Sequence, residues 1–262
     1  MKKTIDFSSY SSIKIGPKLQ VEIIDEIQDC SSYVMIGGAN NLLVSPNPPM
    51  LAMLGKKFDF IKKSGEVLHI GGATKSGKIL SFAKKQNLAD FELMQKLPGT
   101  LGGMIKMNAG LKEWEIFNHL KSIKTQSGWI DKKDIEFGYR HTDIKEVVFE
   151  AIFEINHGFD LELLDMFKQL RQNQPNFPSA GSCFKNPKEN FAGKLLDTVK
   201  LKGKKIGNMA FSEQHANFLV NLGGGTYSEA IALIELAKKR VYEELGIVLK
   251  TEIEILPWTK QK

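Results

Sequence analysis

The sequence contains little cysteine and no long apolar run. Its 262 residues include only two cysteines, Cys30 and Cys183, which excludes a disulfide-stabilised scaffold and favours a reducing compartment. No stretch approaches about 18 uninterrupted apolar residues, so we expect no transmembrane helix and no membrane partner. Residues 1–9 carry positive charge with no apolar core after them, unlike a secretion signal. The expected location is therefore the cytoplasm.

The composition has no extreme bias. Hydrophobic residues make up 42% and charged residues 25% of the chain, which excludes a disordered tail and a collagen-like fibre. At roughly 150 residues per domain, we expect one large domain or two to three small ones. The net charge is +6, but the basic clusters 202–205 and 238–240 are far apart in sequence, so no nucleic-acid partner is predicted. The five histidines are dispersed, and no metal site is predicted.

Four segments carry signals of helices. A proline in the first turn and apolar residues on one face predict a helix over 17–29. Ser76 is the expected N-cap of a second helix. Apolar residues at helical spacing predict a third helix over 161–170. A capping box that begins at Thr226 predicts a long fourth helix, which Gly246 ends.

Short apolar runs and alternating patterns predict strands along much of the chain. The predicted strands are 33–36, 42–44, 67–70, 120–123, 129–130, 147–155 and 248–256. The turn at 126–128 joins two of them as a hairpin. Because strands and helices mix without a regular β-α-β-α alternation, the predicted fold class is α+β, not a doubly wound sheet.

The segment 72–79 resembles the phosphate-binding loop of nucleoside triphosphatases. It has a glycine, four residues and then Gly-Lys, between a predicted strand and a predicted helix. The next residue is Ile79, whereas the loop requires Ser or Thr there because that hydroxyl ligates Mg²⁺. We therefore expect this segment to begin a helix, and an ATPase is disfavoured.

Three glycine-rich turns, each bounded by apolar runs, lie in the first half of the chain. Glycine lets backbone N–H groups approach a ligand closely, and clustered N–H groups bind anions. Together the turns predict a long phosphate-bearing cofactor, although none matches the Rossmann fingerprint. The predicted cofactor-binding residues are Gly37, Gly38, Ala39, Asn40, Asn41, Leu42, Pro98, Gly99, Thr100, Gly102, Gly103, Asn108, Ala109 and Gly110.

A run of small residues within 178–187 leads to a serine that is followed by Lys185 and Asn186. This pattern is compatible with a substrate pocket. No histidine partner for Cys183 is evident nearby in sequence, and in an extended segment Ser182 and Cys183 point to opposite faces. We therefore interpret Cys183 as a small core residue and not as a nucleophile.

Pattern alone leaves the roles of several charged residues open. Arg140 is a single arginine, and single arginines usually lie on the surface. In the predicted last strand, Glu252 and Glu254 share one face, and periodicity does not tell which of them acts. His215 is an acid–base candidate by residue type. Because no second ligand stands at metal spacing, we interpret His215 as a packing or hydrogen-bonding residue.

Taken in order, these motifs resemble the family of UDP-N-acetylenolpyruvoylglucosamine reductases. The matches extend over nearly the whole chain, and an ordered set is far more specific than any one of its members. The segments that carry the resemblance are 11–16, 37–44, 97–103, 107–110, 137–140, 178–187, 192–196, 212–218 and 249–253.

The resemblance implies an α+β fold in two functional parts. The first is a bipartite FAD-binding fold of the vanillyl-alcohol-oxidase (PCMH) type at 1–157, with subdomains of about 1–55 and 56–157. The last strand, 248–262, is expected to return to the first subdomain. The second part is a C-terminal α+β substrate-binding domain at 158–247. The chain is short for the family, as in a compact subclass that lacks the tyrosine-loop insertion.

The resemblance also implies an activity, the NADPH-dependent and FAD-mediated reduction of the enolpyruvyl ether of UDP-N-acetylglucosamine in bacterial peptidoglycan synthesis. Flavin N5 would deliver hydride to C3 of the enolpyruvyl group, and Ser182 would protonate C2. The family's arginine maps onto Arg140, and its C-terminal glutamate maps onto Glu252 and not onto Glu254. The residues expected to contact the substrate are Tyr139, Lys185 and Asn186.

The chain departs from the family pattern at one turn. Ala39 and Asn40 stand where the family usually has glycine and serine, so altered contacts to the flavin pyrophosphate are expected. A monomer is expected. Two other functions stay open at this point: a catalytically silent module that binds flavin or a nucleotide sugar, and a flavin oxidase that passes electrons to oxygen.

Overall fold

The computed structural model describes residues 1–95 and 97–257. The packing of its Cα atoms divides the chain into two compact units, each built from segments that are distant in sequence. The first unit comprises 1–3, 21–38 and 50–172, and the second comprises 4–20, 39–49 and the chain from 173 onward.

The predicted domains and the observed units divide the chain in different ways. The prediction of an FAD-binding region at 1–157 and a substrate-binding domain at 158–247 follows chain order, whereas the units interleave along the chain. The functional division therefore stays a prediction. Residues 258–262 of the predicted last strand lie outside the described residues.

Helices and strands alternate irregularly, as the sequence predicts. Within the described residues the α-helices are α1 (Phe7–Tyr10), α2 (Ser76–Gln86), α3 (Leu101–Lys106), α4 (Leu161–Leu170), α5 (Ala192–Thr198) and α6 (Tyr227–Leu245). The strands are β1 (Lys2–Asp6), β2 (Lys18–Ile24), β3 (Val34–Met35), β4 (Leu42–Leu43), β5 (Leu51–Leu54), β6 (Ile61–Ser64), β7 (Val67–Gly71), β8 (Gly110–Leu111), β9 (Trp114–Glu115), β10 (Leu120–Thr125), β11 (Gly128–Asp131), β12 (Phe137–Gly138), β13 (His141–Thr142), β14 (Glu150–Glu154), β15 (Ser179–Ser182), β16 (Lys205–Ile206), β17 (Met209–Phe211), β18 (Phe218–Asn221) and β19 (Glu254–Ile255). No helix in this part of the chain is long and apolar enough to cross a bilayer.

The first unit contains a five-stranded antiparallel sheet in the order β11-β10-β14-β7-β6. The predicted hairpin is confirmed: β10 and β11 pair around a turn in which Gly128 has φ +114. One face of the sheet buries Leu68, Ile70 and Phe153 against Ile79 and Ala83 of α2, and all five residues belong to one core cluster. The loop that follows β7 and the loop that precedes α3 are therefore both attached to this core cluster.

The predicted helix over 17–29 is wrong, because residues 18–24 form strand β2. This strand pairs in parallel with β5, with Val21 opposite Leu51. The run Val21-Glu22-Ile23-Ile24 is rich in β-branched residues, which fit a pleated sheet better than a helix. Ile27, which the helical stripe would have buried, is 42% exposed.

The second unit contains an antiparallel sheet in the order β15-β18-β17-β16. Helix α6 packs its apolar residues into the core of this unit. Its predicted ends are confirmed, since Thr226 and Glu229 form the capping box and Gly246 closes the helix with φ +70. The helix over 161–170 in the first unit is confirmed as well.

Two further expectations are corrected. The predicted last strand over 248–256 is reduced to β19, which pairs in parallel with β4. Ser76 is the first residue of α2 and not its cap; Lys75 is the N-cap and makes no side-chain capping bond. The N–H of Ser76 donates to the carbonyl of Gly99, so the loop before α3 satisfies one of the N–H groups that have no partner within α2.

Candidate active site

Two glycines of the first unit, one in each of two glycine-rich turns, have backbone conformations that side chains disfavour. Gly37 has φ +46 and Gly99 has φ +138, conformations that glycine adopts most easily. A Cβ on Gly37 would lie 2.8 Å from Oγ1 of Thr100, and a Cβ on Gly103 would lie 3.6 Å from the same atom. The Thr100 hydroxyl therefore lies close to the backbone of both turns.

Gly102 is explained by packing inside the unit. Its N–H donates to the carbonyl of Gly72 at 2.9 Å, and the N–H of Leu101 donates to the carbonyl of Thr74 at 2.9 Å. A Cβ on Gly102 would lie 3.1 Å from the carbonyl oxygen of Val148. The amides of Leu101 and Gly102 therefore stabilise the turn, and other donors of the turn would have to bind a phosphate.

The rest of the first turn, residues 39–42, lies in the second unit. Ala39 adopts φ +49, and its carbonyl accepts from the N–H of Ser12 at 3.2 Å. The Ser12 hydroxyl donates to the carbonyl of Asn40 at 3.0 Å. Asn41 Nδ2 donates to the carbonyl of Glu252 at 2.8 Å, and Leu42 lies in β4. Asn41 thus ties this turn to the segment that carries a predicted catalytic residue.

The donor set of the turns fits the pyrophosphate of FAD. Residues 37–42 and 98–103 contain no carboxylate; taken separately, the first turn carries backbone amides and the Asn40 side chain, and the second carries the Thr100 hydroxyl and backbone amides other than those of Leu101 and Gly102. Such donors suit an anionic group. A side chain at Gly37 would contact the Thr100 hydroxyl, so this position requires a residue without a side chain. The residues present are therefore compatible with the predicted cofactor.

The third turn, residues 108–110, is occupied by contacts within the first unit. Asn108 is fully buried, and its Nδ2 donates to Glu115 Oε2 at 2.7 Å and to the carbonyl of Gly138 at 3.1 Å. The N–H of Ala109 donates to the carbonyl of Met104 at 2.8 Å. A Cβ on Gly110 would lie 2.3 Å from the carbonyl oxygen of Trp114, so this position requires glycine for the β8–β9 hairpin.

Arg140 lies in the tight turn between β12 and β13. It is half-buried, with φ +53, and its Nη2 donates to the carbonyl of Gly110 at 2.7 Å. The guanidinium carbon lies 5.1 Å from the ring centroid of Tyr139, which is 48% exposed. The Arg140 side chain is therefore held in one orientation by contacts within the first unit.

Arg171 is a basic residue of the same unit that the sequence patterns do not single out. It is 8% exposed at the end of α4. Burial, and then the charge of Arg140, lower the pKa of Arg171 to about 10, so it stays cationic at neutral pH. Two guanidinium groups close enough to influence each other favour an anion nearby. No local pattern marks Arg171, because its significance depends on tertiary contacts.

Ser182 lies at the end of β15 in the second unit. A register irregularity separates its pairing with Phe218 from that of Ser179 with Val220. Gly181 precedes it with φ +80. Irregularities of this kind redirect the following side chain, and Ser182 is half-buried, so that its hydroxyl is partly accessible.

The structure brings the Ser182 and Glu252 segments together within the second unit. The N–H of Glu252 donates to the carbonyl of Cys183 at 2.9 Å, and Phe184 pairs with Thr251 in an isolated antiparallel bridge. Glu252 is half-buried, whereas Glu254 is exposed. The backbone of Glu252 thus bonds to the Ser182 segment, whereas that of Glu254 bonds to Asn41, and the catalytic role of Glu252 stays a prediction.

The two residues after this segment differ in their contacts. Asn186 is exposed, and its Oδ1 accepts from the N–H of Ala192 at 3.0 Å, at the start of α5. The backbone N–H of Lys185 donates to the carbonyl of Lys250 at 2.9 Å. Lys185 is half-buried beside the Glu252 segment, and its contact with substrate stays a prediction.

Cys183 and His215 have the structural roles that the sequence predicts. Cys183 is fully buried, and burial raises the pKa of its thiol, which keeps it protonated and unreactive. His215 Nδ1 accepts from the N–H of Asn217 at 3.2 Å, and its ring packs edge-on against Phe218. Burial lowers the pKa of His215, so the neutral imidazole is the form that accepts this bond.

Asn217 supports the Ser182 segment, and the sequence patterns do not identify it. Its Oδ1 accepts from the N–H of Phe184 at 3.0 Å, and its Nδ2 donates to the carbonyl of Phe184 at 2.8 Å. Its own carbonyl accepts from the N–H of Cys183 at 2.6 Å. In the sequence Asn217 stands two residues after His215, and no local pattern shows that its side chain bonds to Phe184.

The segment resembling a phosphate loop serves the fold. A Cβ on Gly72 would lie 2.1 Å from the carbonyl oxygen of Val148. Lys78 Nζ pairs with Asp59 Oδ1 at 2.8 Å, and Ile79 is fully buried. Lys78 thus pairs with Asp59, and Ile79, which occupies the position of the required hydroxyl, packs in the core. Both facts count against an ATPase. Among residues 1–95 and 97–257, no three His, Cys, Asp or Glu side chains are grouped to hold a metal ion.

Comparison with known proteins agrees with this arrangement. Residues 173–256 match the family described as UDP-N-acetylenolpyruvoylglucosamine reductase, C-terminal domain. The chain is 50% identical over 257 residues to the UDP-N-acetylenolpyruvoylglucosamine reductase of Helicobacter hepaticus, covering 96% of this chain and 98% of that protein. It is 45% identical over 257 residues to that of Helicobacter pylori strain 26695, covering 98% and 99%.

The fold also has a solved counterpart. The crystal structure of UDP-N-acetylenolpyruvylglucosamine reductase from Thermus caldophilus is similar with a TM-score of 0.86 at 25% identity, covering 98% of this chain and 99% of that one. The match confirms the predicted α+β class, with a bipartite FAD-binding fold and a C-terminal domain. The chain belongs to the family of UDP-N-acetylenolpyruvoylglucosamine reductases.

Proposed function

We propose that this chain is a flavin-dependent oxidoreductase of peptidoglycan synthesis. The reaction is the NADPH-dependent reduction of UDP-N-acetyl-3-O-(1-carboxyvinyl)-glucosamine to UDP-N-acetylmuramate. The observation that carries the proposal is similarity along the full chain, at 50% identity, to a protein named for this reduction. The adjacency of the Ser182 and Glu252 segments supports it independently.

FAD is the proposed cofactor, and the turns 37–42 and 98–103 are the proposed binding residues for its pyrophosphate. Thr100 and Gly103 contribute a hydroxyl and an uncovered backbone there. When bound, FAD would supply the redox chemistry of the reaction, the passage of hydride from NADPH to the enolpyruvyl group.

Arg140 is the proposed group that activates the substrate. An enol ether is electron-rich, so addition of hydride at C3 requires withdrawal of charge into the carboxylate attached to C2. A guanidinium pairs with a carboxylate through charge-assisted hydrogen bonds. It then stabilises the enediolate that forms, a contribution on the order of a few kcal/mol per donor. The contact of Arg140 with Gly110 holds the guanidinium ready for this task.

Ser182 is the proposed proton donor to C2. A serine hydroxyl is a weak acid in water, but a carbanionic centre is a strong base, which makes the transfer favourable. General acid catalysis typically contributes roughly 100- to 10,000-fold. Hydride at C3 and a proton at C2 together convert the enolpyruvyl ether into the lactyl ether. Glu252 is proposed to assist at the same centre, since its backbone is fixed beside the Ser182 segment.

The remaining substrate contacts are assigned by position. Tyr139 is exposed next to Arg140, Lys185 is half-buried beside the Glu252 segment, and Asn186 follows it. Lys185 supplies a positive charge suited to the diphosphate or carboxylate of the substrate. Replacing Lys185 with alanine is expected to raise the substrate dissociation constant with little change in flavin content.

An anaerobic spectroscopic titration tests the proposal. The purified protein should be yellow, with absorbance near 450 nm. NADPH should bleach it, and the enolpyruvyl sugar should restore the colour. Recovery with oxygen but not with the sugar would indicate the oxidase alternative. A protein that binds the sugar but never bleaches would indicate the silent binding module, and either result would contradict the proposal.

A further inference from the structure

Asn108 contacts Arg140 and the turn that carries it. The side chain of Asn108 is completely buried, and its backbone has φ +44, a left-handed conformation that asparagine tolerates better than most residues. Its Nδ2 donates to the carbonyl of Gly138, one residue before the turn, at 3.1 Å. Its backbone carbonyl accepts from Nη1 of Arg140 at 3.5 Å. One residue therefore contacts both the strand before the turn and the guanidinium.

The amide of Asn108 is fixed in orientation by two other residues. Nδ2 also donates to Glu115 Oε2 at 2.7 Å, while Oδ1 accepts from the N–H of Phe117 at 3.4 Å. Two acceptors face the nitrogen and one donor faces the oxygen, so only one placement of the amide satisfies all three contacts. Alanine would satisfy none of them, and aspartate would place an oxygen against two acceptors.

We infer that Asn108 is a positioning residue that orients Arg140 for the reduction. The inference rests on the proposed function and adds a role to a residue first interpreted as a cofactor ligand. Both amide hydrogens of Asn108 are engaged by Glu115 and Gly138, so the side chain fixes the backbone at residues 108 and 138, and the carbonyl of Asn108 in turn accepts from Arg140. Misplacement of a catalytic group by about 1 Å is enough to slow a reaction by about 100-fold.

The test separates the two half-reactions in the FAD-loaded full chain. The variants are Asn108→Ala and the milder Glu115→Gln, which alters only one acceptor of the amide. For Asn108→Ala we expect flavin content to be retained, reduction by NADPH to stay within about twofold, and reoxidation by the enolpyruvyl sugar to slow by about 100-fold. Glu115→Gln should slow the same half-reaction to a lesser degree.

A matched control and a double substitution make the outcome specific. Asn118 is exposed, and its Nδ2 donates to the carbonyl of Glu113 at 2.9 Å without contacting Arg140; Asn118→Ala should leave both half-reactions unchanged. If Asn108 acts through Arg140, adding Asn108→Ala to Arg140→Ala should cause almost no further loss. Calorimetric binding of UDP-N-acetylmuramate to the oxidised protein should weaken in Asn108→Ala and show the same lack of additivity.

Several results would overturn the inference. Losses that multiply in the double variant would show that Asn108 and Arg140 act separately. Loss of flavin, or equal slowing of both half-reactions, in Asn108→Ala and Glu115→Gln would make Asn108 a cofactor or general structural residue. Failure of the wild-type protein to reoxidise with the sugar would instead refute the proposed function, so the two failures are distinguishable.

Discussion

Replacing Asn217 with alanine should destabilise the second unit strongly, because Asn217 makes two buried hydrogen bonds to one residue. It is 4% exposed, and its amide bonds both the N–H and the carbonyl of Phe184. Phe184 also stands opposite Thr251 in a β-bridge, but the hydrogen bonds of that bridge are made by its neighbours: Cys183 accepts from Glu252, and Lys185 donates to Lys250. The backbone N–H and carbonyl of Phe184 thus both bond to the Asn217 side chain.

The magnitude follows from two buried groups that lose their partners. A buried donor or acceptor left unsatisfied costs about 1–3 kcal/mol, so Asn217→Ala should lower the free energy of unfolding by about 2–6 kcal/mol. Urea denaturation of the wild type and the variant measures the loss, once without FAD and once at the same saturating FAD concentration for both, because bound ligand adds stability.

A control variant separates this effect from general loss of asparagine. Asn190 is exposed, and its Nδ2 lies 3.4 Å from the carbonyl of Lys188, so Asn190→Ala should change the free energy of unfolding by less than about 0.5 kcal/mol. A loss below about 1 kcal/mol for Asn217→Ala would refute the reasoning, since it would mean that the Phe184 backbone finds other partners.

The remaining predictions concern glycines and thiols. Gly72→Ala should destabilise the fold by about 1–3 kcal/mol, because the new Cβ would lie 2.1 Å from the Val148 carbonyl oxygen. Gly77→Ala, at an open position in helix α2, should instead stabilise the fold by up to about 1 kcal/mol. Urea denaturation that gave equal effects for the two variants would contradict this reasoning. Burial raises the pKa of both Cys30 and Cys183, so neither thiol should react with a disulfide reagent at neutral pH until urea unfolds the chain.

Local signals predict those parts of the fold that are determined locally. The capping box at Thr226 and the αL residue Gly246 set the ends of α6 through contacts within a few residues, and both ends are confirmed. Strand β2 was mistaken for a helix because Leu19, Ile23 and Ile27 have helical spacing. The partner that decides the matter, β5, lies some 30 residues later and is not visible in a local window.

The same distinction applies to the site. Residue type and order mark Ser182 and Glu252, and the structure places their segments side by side. Arg171 and Asn217 could not be predicted, because burial and distant backbone partners make them significant. The glycine-rich turn at Asn108 indicates an anion site, which stays a prediction, but no local pattern shows that its side-chain amide bonds to Glu115 and Gly138.

Stopped-flow measurement of both half-reactions in Ser182→Ala tests the central claim most directly. If Ser182 donates the proton to C2, NADPH should bleach the flavin of the variant at the wild-type rate, and the enolpyruvyl sugar should restore it roughly 100- to 10,000-fold more slowly. Reoxidation at the wild-type rate, or equal slowing of both half-reactions, would contradict the assignment of this hydroxyl as the acid.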